Sequence, residues 1–257
     1  MKGIYSPAGR AREFSPLALN LYNGCSHRCT YCYLRTKYGQ EDIKVEPRRI
    51  LALIEKQAPL YARYGEQVLL CFAGDPYCPE ELKFGFTRKV LEILLKSQVV
   101  VAILTKGGSR CLRDVDLFTK FKNIKVGATL TCFHRSDSKK WEPGAASPGD
   151  RIETLRLLRS YGIKTWVSFE PVITPQQTFR LLEITHEFID HYKVGKMNYV
   201  LTDIDWKEFG MEIVKRLRKL EKKFYIKQDL QRYLPKGFLT KEEMDMDYLI
   251  LKKENDE

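Results

Sequence analysis

Residues 23–33 read NGCSHRCTYCY, and this stretch places three cysteines within eight positions, Cys25, Cys29 and Cys32. The spacing is C-x3-C-x2-C, and an aromatic residue, Tyr31, stands directly before the third cysteine. A four-iron cluster needs one ligand for each iron, so three cysteines leave one iron open to chelation by a small molecule. The spacing therefore predicts a [4Fe–4S] cluster with one open iron.

A zinc site is the alternative interpretation of this loop. Structural zinc normally takes four ligands as two separated pairs, and catalytic zinc takes three ligands and an open water position. His27 is a candidate fourth ligand, although it lies between two of the cysteines.

The chain has seven cysteines, an odd number, and none follows Cys132, so a secreted disulfide framework explains them poorly.

Around this loop, short apolar runs rich in β-branched residues alternate with longer amphipathic stretches. This alternation is typical of repeated βα units. Six strands are predicted, at residues 17–22, 67–72, 99–104, 124–131, 163–169 and 197–201. Helices are predicted at residues 47–64, 82–97, 113–121, 148–161, 175–192 and 204–222. Pro47, Pro148 and Pro175 suit the first turns of helices, and Gly162 suits a helix end.

Six βα units are too few for a closed eight-stranded barrel. They suit an α/β fold, an open partial (βα)6 barrel of the TIM type with parallel strands, whose ligands bind at the C-terminal ends of those strands. The length of 257 residues fits one domain. We predict an N-terminal arm at 1–14, the barrel at 15–222, and an extension at 223–257 that closes the base of the barrel.

The formal net charge of +11 is large for a chain of this length. Such a charge attracts nucleic acid or another polyanion through phosphate neutralisation and counterion release. A solvated basic surface is an equally good explanation. The charge therefore admits a nucleic-acid partner without identifying one.

The sequence has no apolar run close to the roughly 20 residues that a membrane span needs. Residues 1–7 also lack the apolar stretch of a signal peptide. We therefore expect a cytoplasmic protein with no membrane partner. The oligomeric state is left open by the sequence.

The cysteine loop, with Asn20-Leu21-Tyr22-Asn23-Gly24 before it, resembles that of the radical S-adenosylmethionine (SAM) superfamily. Its flanks are similar to the spore photoproduct lyase-like branch, and the matching motifs extend from about Ser15 to about Thr174. The resemblance implies reductive cleavage of SAM to a 5′-deoxyadenosyl radical. It also implies a [4Fe–4S] cluster bound by Cys25, Cys29 and Cys32, and an external electron donor such as flavodoxin or ferredoxin.

The resemblance to a DNA-repair branch, together with the net charge, favours a DNA or RNA substrate in which a pyrimidine is repaired or modified. One alternative keeps the radical chemistry and gives it a small molecule or a peptide. Another is a zinc-type nucleic-acid-binding module that is not an enzyme. Affinity for nucleic acid that falls steeply with salt distinguishes the first, and iron and sulfide analysis distinguishes the second.

Several loops match the segments with which this family binds SAM. Gly74 and Asp75 end the second predicted strand, where the family accepts hydrogen bonds from the SAM ammonium, and Lys106 ends the third, where a lysine contacts the SAM carboxylate. Thr129 matches a SAM-contacting serine. Thr131 is expected on the same face because alternate strand residues share a face. Further candidates for contact with SAM are Tyr31, Glu142 and Arg151.

The segment 142–151 reads EPGAASPGDR and resembles the Glu-Pro-Gly-x-x-Ser-Pro-x-x-Arg stretch of the same branch. Glu142 and Arg151 can form a bidentate pair that fixes this loop over the site. A purely structural salt bridge is the alternative.

Two residues are candidates for contact with substrate. Cys78 follows the second strand and is predicted at the barrel mouth as a hydrogen donor, with an inert buried thiol as the alternative. Glu170 stands where the family often has alanine, and it is predicted to contact the ribose or the substrate. Cys71 is expected in the core, since it is one residue away from the family's hydrogen-donating cysteine.

Overall fold

The computed structural model describes residues 2–36 and 45–251. Its main sheet contains seven parallel strands, in the order β1-β4-β5-β6-β7-β8-β9. The seven are β1 (Leu17–Leu19), β4 (Val68–Leu70), β5 (Val101–Thr105), β6 (Ile124–Thr129), β7 (Lys164–Phe169), β8 (His191–Val194) and β9 (Lys223–Ile226). A small antiparallel pair is formed by β2 (Tyr22–Asn23) and β3 (Glu46–Pro47).

Helices connect the parallel strands, as right-handed βα crossovers require. They are α1 (Tyr33–Thr36), α2 (Leu51–Tyr64), α3 (Glu81–Phe84), α4 (Phe86–Lys96), α5 (Val115–Phe118), α6 (Arg135–Trp141), α7 (Pro148–Ser160), α8 (Pro175–Thr185), α9 (Trp206–Lys219) and α10 (Gln228–Gln231). Short 3-10 helices occupy Gly9–Glu13, Gly108–Asp114 and Glu242–Met244. The predicted open α/β barrel with parallel strands is confirmed.

Alternation along the strands separates an outer core from an inner one. Val68 and Leu70 of β4 pack outward against the helices, whereas Leu69 faces inward and packs with Ala102 and Trp166. The same alternation sends Tyr192 of β8 and Phe224 of β9 outward, so Lys193 and Tyr225 point into the barrel. Polar residues thus enter the barrel interior on its C-terminal strands.

The N-terminal arm lies across the gap between the two edge strands, β1 and β9. On one side, Tyr5 pairs with Ala18 of β1 through two backbone hydrogen bonds of 3.0 and 2.8 Å. On the other, the buried Glu13 carboxylate accepts hydrogen bonds from the Tyr225 hydroxyl at 3.0 Å and from the Gln228 backbone N–H at 2.6 Å. The arm therefore covers the gap between β1 and β9, which further strands would fill in a closed barrel.

The end of the described chain contacts the base of the barrel. Ile250 forms an isolated bridge with Glu66, and Leu251 donates a backbone hydrogen bond to Gly65 at 3.0 Å. The Lys125 ammonium, at the start of β6, donates to the Asp247 backbone carbonyl at 2.7 Å. Residues 252–257 of the predicted extension lie outside the described residues.

The structure corrects several predicted elements. The sheet has seven strands rather than six, because residues 223–226 add β9 beyond the predicted end of the barrel at 222. The sixth strand is β8 at 191–194, not 197–201. The predicted helix at 175–192 was wrong at its end, because it absorbed the first residues of β8. Its apolar spacing did not distinguish a helix end from a buried strand.

Local backbone preferences explain the remaining differences. Gly85, with φ of 56°, ends α3 and starts α4, dividing the helix predicted at 82–97. Pro47 lies in β3 instead of a helical first turn, whereas Pro148 and Pro175 do begin α7 and α8. The helix predicted at 113–121 is shorter, because a 3-10 helix extends to Asp114 and α5 occupies only Val115–Phe118. Within the described residues, no helix is long and apolar enough to cross a membrane.

Gly127 provides a test of the inner packing. A Cβ added there would lie 2.5 Å from the Trp166 carbonyl oxygen and 2.5 Å from its indole nitrogen. We expect Gly127→Ala to lower the free energy of unfolding by about 1–3 kcal/mol, because the neighbouring strand must shift. Gly149→Ala is the matched control, since nothing lies within 4 Å of its added Cβ in α7.

Urea titration followed by circular dichroism measures both variants. The control is expected to be neutral or slightly stabilising, because alanine favours helix over glycine. Equal stability of the two variants would contradict the packing described between β6 and β7.

Candidate functional site

A cavity of about 1250 Å³ opens at the C-terminal ends of the strands. This volume exceeds the roughly 300–1,000 Å³ of typical small-molecule sites. Nine of the residues predicted for the site line it: Cys25, Cys29, Tyr31, Cys32, Gly74, Asp75, Lys106, Thr129 and Glu170. The arm contributes residues 7–11 and Phe14 to its opposite wall. The sequence therefore located this cavity and most of one wall.

The cysteine loop is held in place by the loop that follows α6. The Gly144 N–H donates to the His27 carbonyl at 2.9 Å, and the Thr30 N–H donates to the Trp141 carbonyl at 2.9 Å. A Cβ on Gly144 would come within 2.2 Å of the Ser26 carbonyl oxygen, so only glycine permits this approach. The turn formed by residues 142–144, the EPG turn, thus packs directly on the backbone between Cys25 and Cys29.

The three cysteines of the loop form no disulfide, and they line the cavity. Cys25 and Cys32 are half-buried, and Cys29 is buried. Burial raises the pKa of Cys29 to about 11, and the Lys106 charge acts in the opposite direction. A metal centre would supply the positive charge that buried thiolates require.

His27 does not complete a zinc site with these cysteines. Its Nδ1 lies 3.4 Å from Oδ2 of Asp75, and its Nε2 lies 3.0 Å from the Arg110 guanidinium. In the described part of the chain, no group of three or more His, Cys, Asp or Glu side chains can hold a single metal ion. A zinc site needs converging ligands, whereas the cysteines of a cluster bind separate irons.

Asp75 joins the second and third strand ends. Its Oδ1 accepts hydrogen bonds from the Thr105 hydroxyl at 2.5 Å and the Tyr77 N–H at 2.8 Å, and its Oδ2 accepts from the Lys106 N–H at 2.7 Å. Burial alone would raise the pKa of Asp75, but His27, Lys106 and these donors hold it well below its ordinary value. Asp75 thus remains an anion that organises the loops.

The Lys106 ammonium is surrounded by acidic groups. Burial alone would lower the pKa of Lys106, but the charges of Cys29, Glu142 and Asp75 raise it above its ordinary value. Lys106 therefore presents a positive charge beside the cysteine loop. Such a charge suits the carboxylate of a bound ligand.

Glu142 and Arg151 form a buried ion pair behind the cavity, not in its lining. The Arg151 guanidinium also donates to the carbonyls of Ala146 and Thr129, both at 2.8 Å. The Tyr31 hydroxyl donates to Glu142, which links the pair to the cysteine loop. Of the two interpretations of this pair, the geometry favours the one in which it positions the loop.

Thr129 and Thr131 do not share a face. Thr129 ends β6 and lines the cavity, but Thr131 lies beyond the strand, where alternation no longer applies. Its hydroxyl donates to Glu142 at 2.8 Å, and it does not line the cavity. The predicted contact of Thr131 with SAM is therefore not supported.

The structure also exchanges the positions expected for two cysteines. Cys78 is fully buried in the outer core and does not line the cavity, which argues against its predicted role as a hydrogen donor. Cys71, which directly follows the end of β4 at Leu70, does line the cavity. Phe72, the residue at the position of the family's hydrogen-donating cysteine, lines the cavity as well.

Three site residues were missed by the sequence analysis: Arg10, Lys196 and Lys227 line the wall around Glu170. Lys227 is buried and forms an ion pair with Glu170. Its signal was available, since it follows the apolar run 224–226 as Lys106 follows its own strand. That run was not interpreted as a strand.

Comparison with known protein families identifies the family of this chain. The family model described as the radical SAM superfamily matches residues 19–189, about two thirds of the chain. The chain belongs to the radical SAM superfamily. The cofactors of the superfamily are a [4Fe–4S] cluster and SAM.

Relatives of this radical SAM chain include two proteins named as uncharacterized. One, from Methanocaldococcus jannaschii, is 33% identical over 160 residues, which is 60% of each chain. The other, from Acidianus two-tailed virus, is 27% identical over 177 residues, 62% of this chain and 57% of the relative. The chain therefore matches less than two thirds of the length of these relatives.

Solved structures with the same fold include a spore photoproduct lyase variant, with a TM-score of 0.70 and 15% identity, covering 88% of this chain and 79% of that one. Another is Streptococcus suis SuiB bound to S-adenosylmethionine, with a TM-score of 0.62 and 14% identity. It covers 81% of this chain and 46% of that chain. At these identities the likeness concerns the fold.

The described residues fit the superfamily's cofactors. Three cysteines from one loop line the cavity without forming a disulfide, and the half-buried Lys106 ammonium lies beside them. Both oxygens of Asp75 accept hydrogen bonds from its own chain, which gives it an organising role. A carboxylate can accept about four hydrogen bonds and Asp75 lines the cavity, so its contact with the SAM ammonium stays a prediction.

The buried pair behind the site gives a stability test. Glu142→Gln leaves the Arg151 charge buried without a counterion, and we expect the free energy of unfolding to fall by about 3–5 kcal/mol. The matched control is Glu153→Gln in α7, whose pair with Arg156 is exposed and should change stability by less than about 1 kcal/mol. Thermal and urea unfolding measure both. A Glu142→Gln variant as stable as the control would show that the pair does not hold the loop.

Proposed function

We propose that this chain cleaves SAM reductively at a [4Fe–4S] cluster held by Cys25, Cys29 and Cys32, and that it acts on a pyrimidine of a nucleic acid. The observation that carries the proposal is the single cavity that joins the three thiols to a separate polar wall around Glu170. When bound, the cluster and SAM supply a 5′-deoxyadenosyl radical that abstracts hydrogen from the substrate. The residues that line the cavity would bind and orient the cofactor and the substrate.

The wall on the side of the cysteines would hold SAM. The three thiolates would bind three irons and leave the fourth for the ligand. The backbone near Gly74 would accept hydrogen bonds from the ammonium, and the Lys106 charge would pair with the carboxylate. Thr129 borders the same region, and the ring of Tyr31 lines it while its hydroxyl is held by Glu142. Each of these groups is fixed by a strand end or by the EPG turn, which limits reorganisation when SAM binds.

The size of the cavity and the net charge support a second, larger ligand. The volume of about 1250 Å³ leaves space beyond one cofactor, and the net charge of +11 attracts a polyanion. Among structures of the same fold, one is a spore photoproduct lyase variant with bound AdoMet and dinucleoside spore photoproduct, at a TM-score of 0.59. Together these favour a nucleic acid over the peptide of the SuiB complex.

Substitution of one cysteine tests the proposed chemistry. Cys29→Ala removes one of the three ligands, so we expect loss of the cluster absorbance and a fall of at least about 100-fold in 5′-deoxyadenosine formation. The measurement is anaerobic reconstitution with iron and sulfide, reduction by dithionite with SAM, and chromatography of the products. Cys111→Ala is the control, because this thiol is buried outside the cavity.

The same assay, with and without DNA or RNA oligonucleotides, tests the substrate. Stimulation of product formation by an oligonucleotide, weakened as salt rises, is the expected result. Retained cleavage in Cys29→Ala would contradict the cluster assignment. Stimulation by peptides and not by oligonucleotides would contradict the nucleic-acid assignment.

A further inference from the structure

The wall of the cavity opposite the cysteines carries a paired donor and acceptor, Lys227 and Glu170. Glu170 follows β7 and Lys227 follows β9, so both project from strand ends into the same cavity. The Lys227 N–H continues the sheet by donating to the Val194 carbonyl at 2.8 Å. The backbone of this lysine is therefore fixed by the barrel itself.

The side chain of Lys227 is also fixed. Its ammonium bonds Glu170, lies 3.7 Å from Oε2 of Glu13, and sits 4.1 Å from the centre of the Phe14 ring. Only 4% of this side chain is exposed. Two carboxylates and an aromatic face thus hold one cation at the cavity wall, where rotamer freedom is already lost.

Glu170 keeps one oxygen for a ligand. Its Oε2 accepts from Lys227, and among the described residues no hydrogen bond to Oε1 is found. Its side chain is 17% exposed, more than that of Lys227. Gly195 leaves room for this carboxylate, since a Cβ there would lie 2.8 Å from its Cδ. The pair therefore offers a carboxylate oxygen beside an ammonium.

This wall is close to neutral, although the chain is strongly basic. Lys227 is balanced by Glu170 and Glu13, and Arg10 is balanced by Asp229. The remaining cation, Lys196, donates to the Met197 carbonyl and lies over the Trp206 ring. A phosphate placed against Lys227 or Arg10 would have to break an ion pair. A neutral group with its own donor and acceptor can bond both partners of the Glu170–Lys227 pair at once.

We infer that Glu170 and Lys227 recognise the imide edge of a uracil or thymine base, on which an N–H donor stands beside a carbonyl acceptor. Glu170 Oε1 accepts from the base N3–H, and Lys227 donates to the adjacent carbonyl. The phosphates stay outside, on the basic surface. This inference rests on the proposed function and specifies the substrate group that the cavity selects.

The test compares short oligonucleotides that contain one central thymine or one N3-methylthymine. Methylation removes the donor, so the reconstituted, SAM-bound protein should bind the thymine oligonucleotide about 10- to 100-fold more tightly by fluorescence anisotropy. Glu170→Ala should reduce this ratio to within about twofold, whereas Glu55→Ala, an exposed glutamate of α2, should leave it unchanged. This comparison begins with the unaltered protein, so it does not depend on a variant that folds.

Gly195→Ala provides a second, milder variant. Its methyl group displaces the end of the Glu170 side chain while keeping the carboxylate and the pair with Lys227 available. We expect an intermediate ratio, with SAM affinity and cluster absorbance unchanged. Lys227→Met should lower affinity for the thymine oligonucleotide about tenfold or more, because the carbonyl loses its donor.

Equal affinity of the unaltered protein for the two oligonucleotides overturns this inference. The proposed function survives that result if the oligonucleotides still stimulate 5′-deoxyadenosine formation, and both fail if they neither bind nor stimulate. Binding of a peptide that depends on Glu170, with no preference between the two bases, would also overturn the assignment to a nucleobase.

Discussion

The buried ion pair between Glu142 and Arg151 holds together the parts from which the site is assembled. Its carboxylate accepts hydrogen bonds from Tyr31 and Thr131, and its guanidinium binds the carbonyl that ends β6. The cysteine loop, the EPG turn and the fourth strand of the sheet are therefore fixed to one another by charges that water does not screen. The hydrogen bond from the Gly144 N–H to the His27 carbonyl joins the same turn to the cysteine loop.

The open barrel gives the two walls of the cavity different chemistry. Strands β1, β4, β5 and β6 end in the cysteine loop, the Asp75 network and Lys106, which suit a cluster and a charged cofactor. Strands β7 to β9 end in Glu170 and Lys227, which suit a neutral polar group. The arm closes the gap between the first and last strands through Glu13, and the same carboxylate helps to position Lys227. Glu13 therefore contributes both to closing the barrel and to holding Lys227 in the second wall.

Much of the first wall was predictable from sequence because its residues are close in the chain or follow strongly apolar strands. The cysteine spacing and Lys106 stand where simple rules place them, and so does Glu170 of the second wall. The rest depended on where strands end. Thr131 was misplaced because β6 stops at Thr129, and Lys227 was missed because residues 223–226 are a short strand preceded by charged residues. The burial of Cys78 and the position of Cys71 in the cavity wall depend on how the chain turns after β4 ends at Leu70, which strand alternation does not predict.

The central claim is that three cysteines hold a four-iron cluster whose fourth iron is left for SAM. Mössbauer spectroscopy of protein reconstituted with iron-57, recorded with and without SAM, tests it most directly. The account predicts a four-iron spectrum in which SAM changes the signal of one iron and leaves the other three unchanged. A spectrum with no cluster, or a cluster in which no iron responds to SAM, would contradict it.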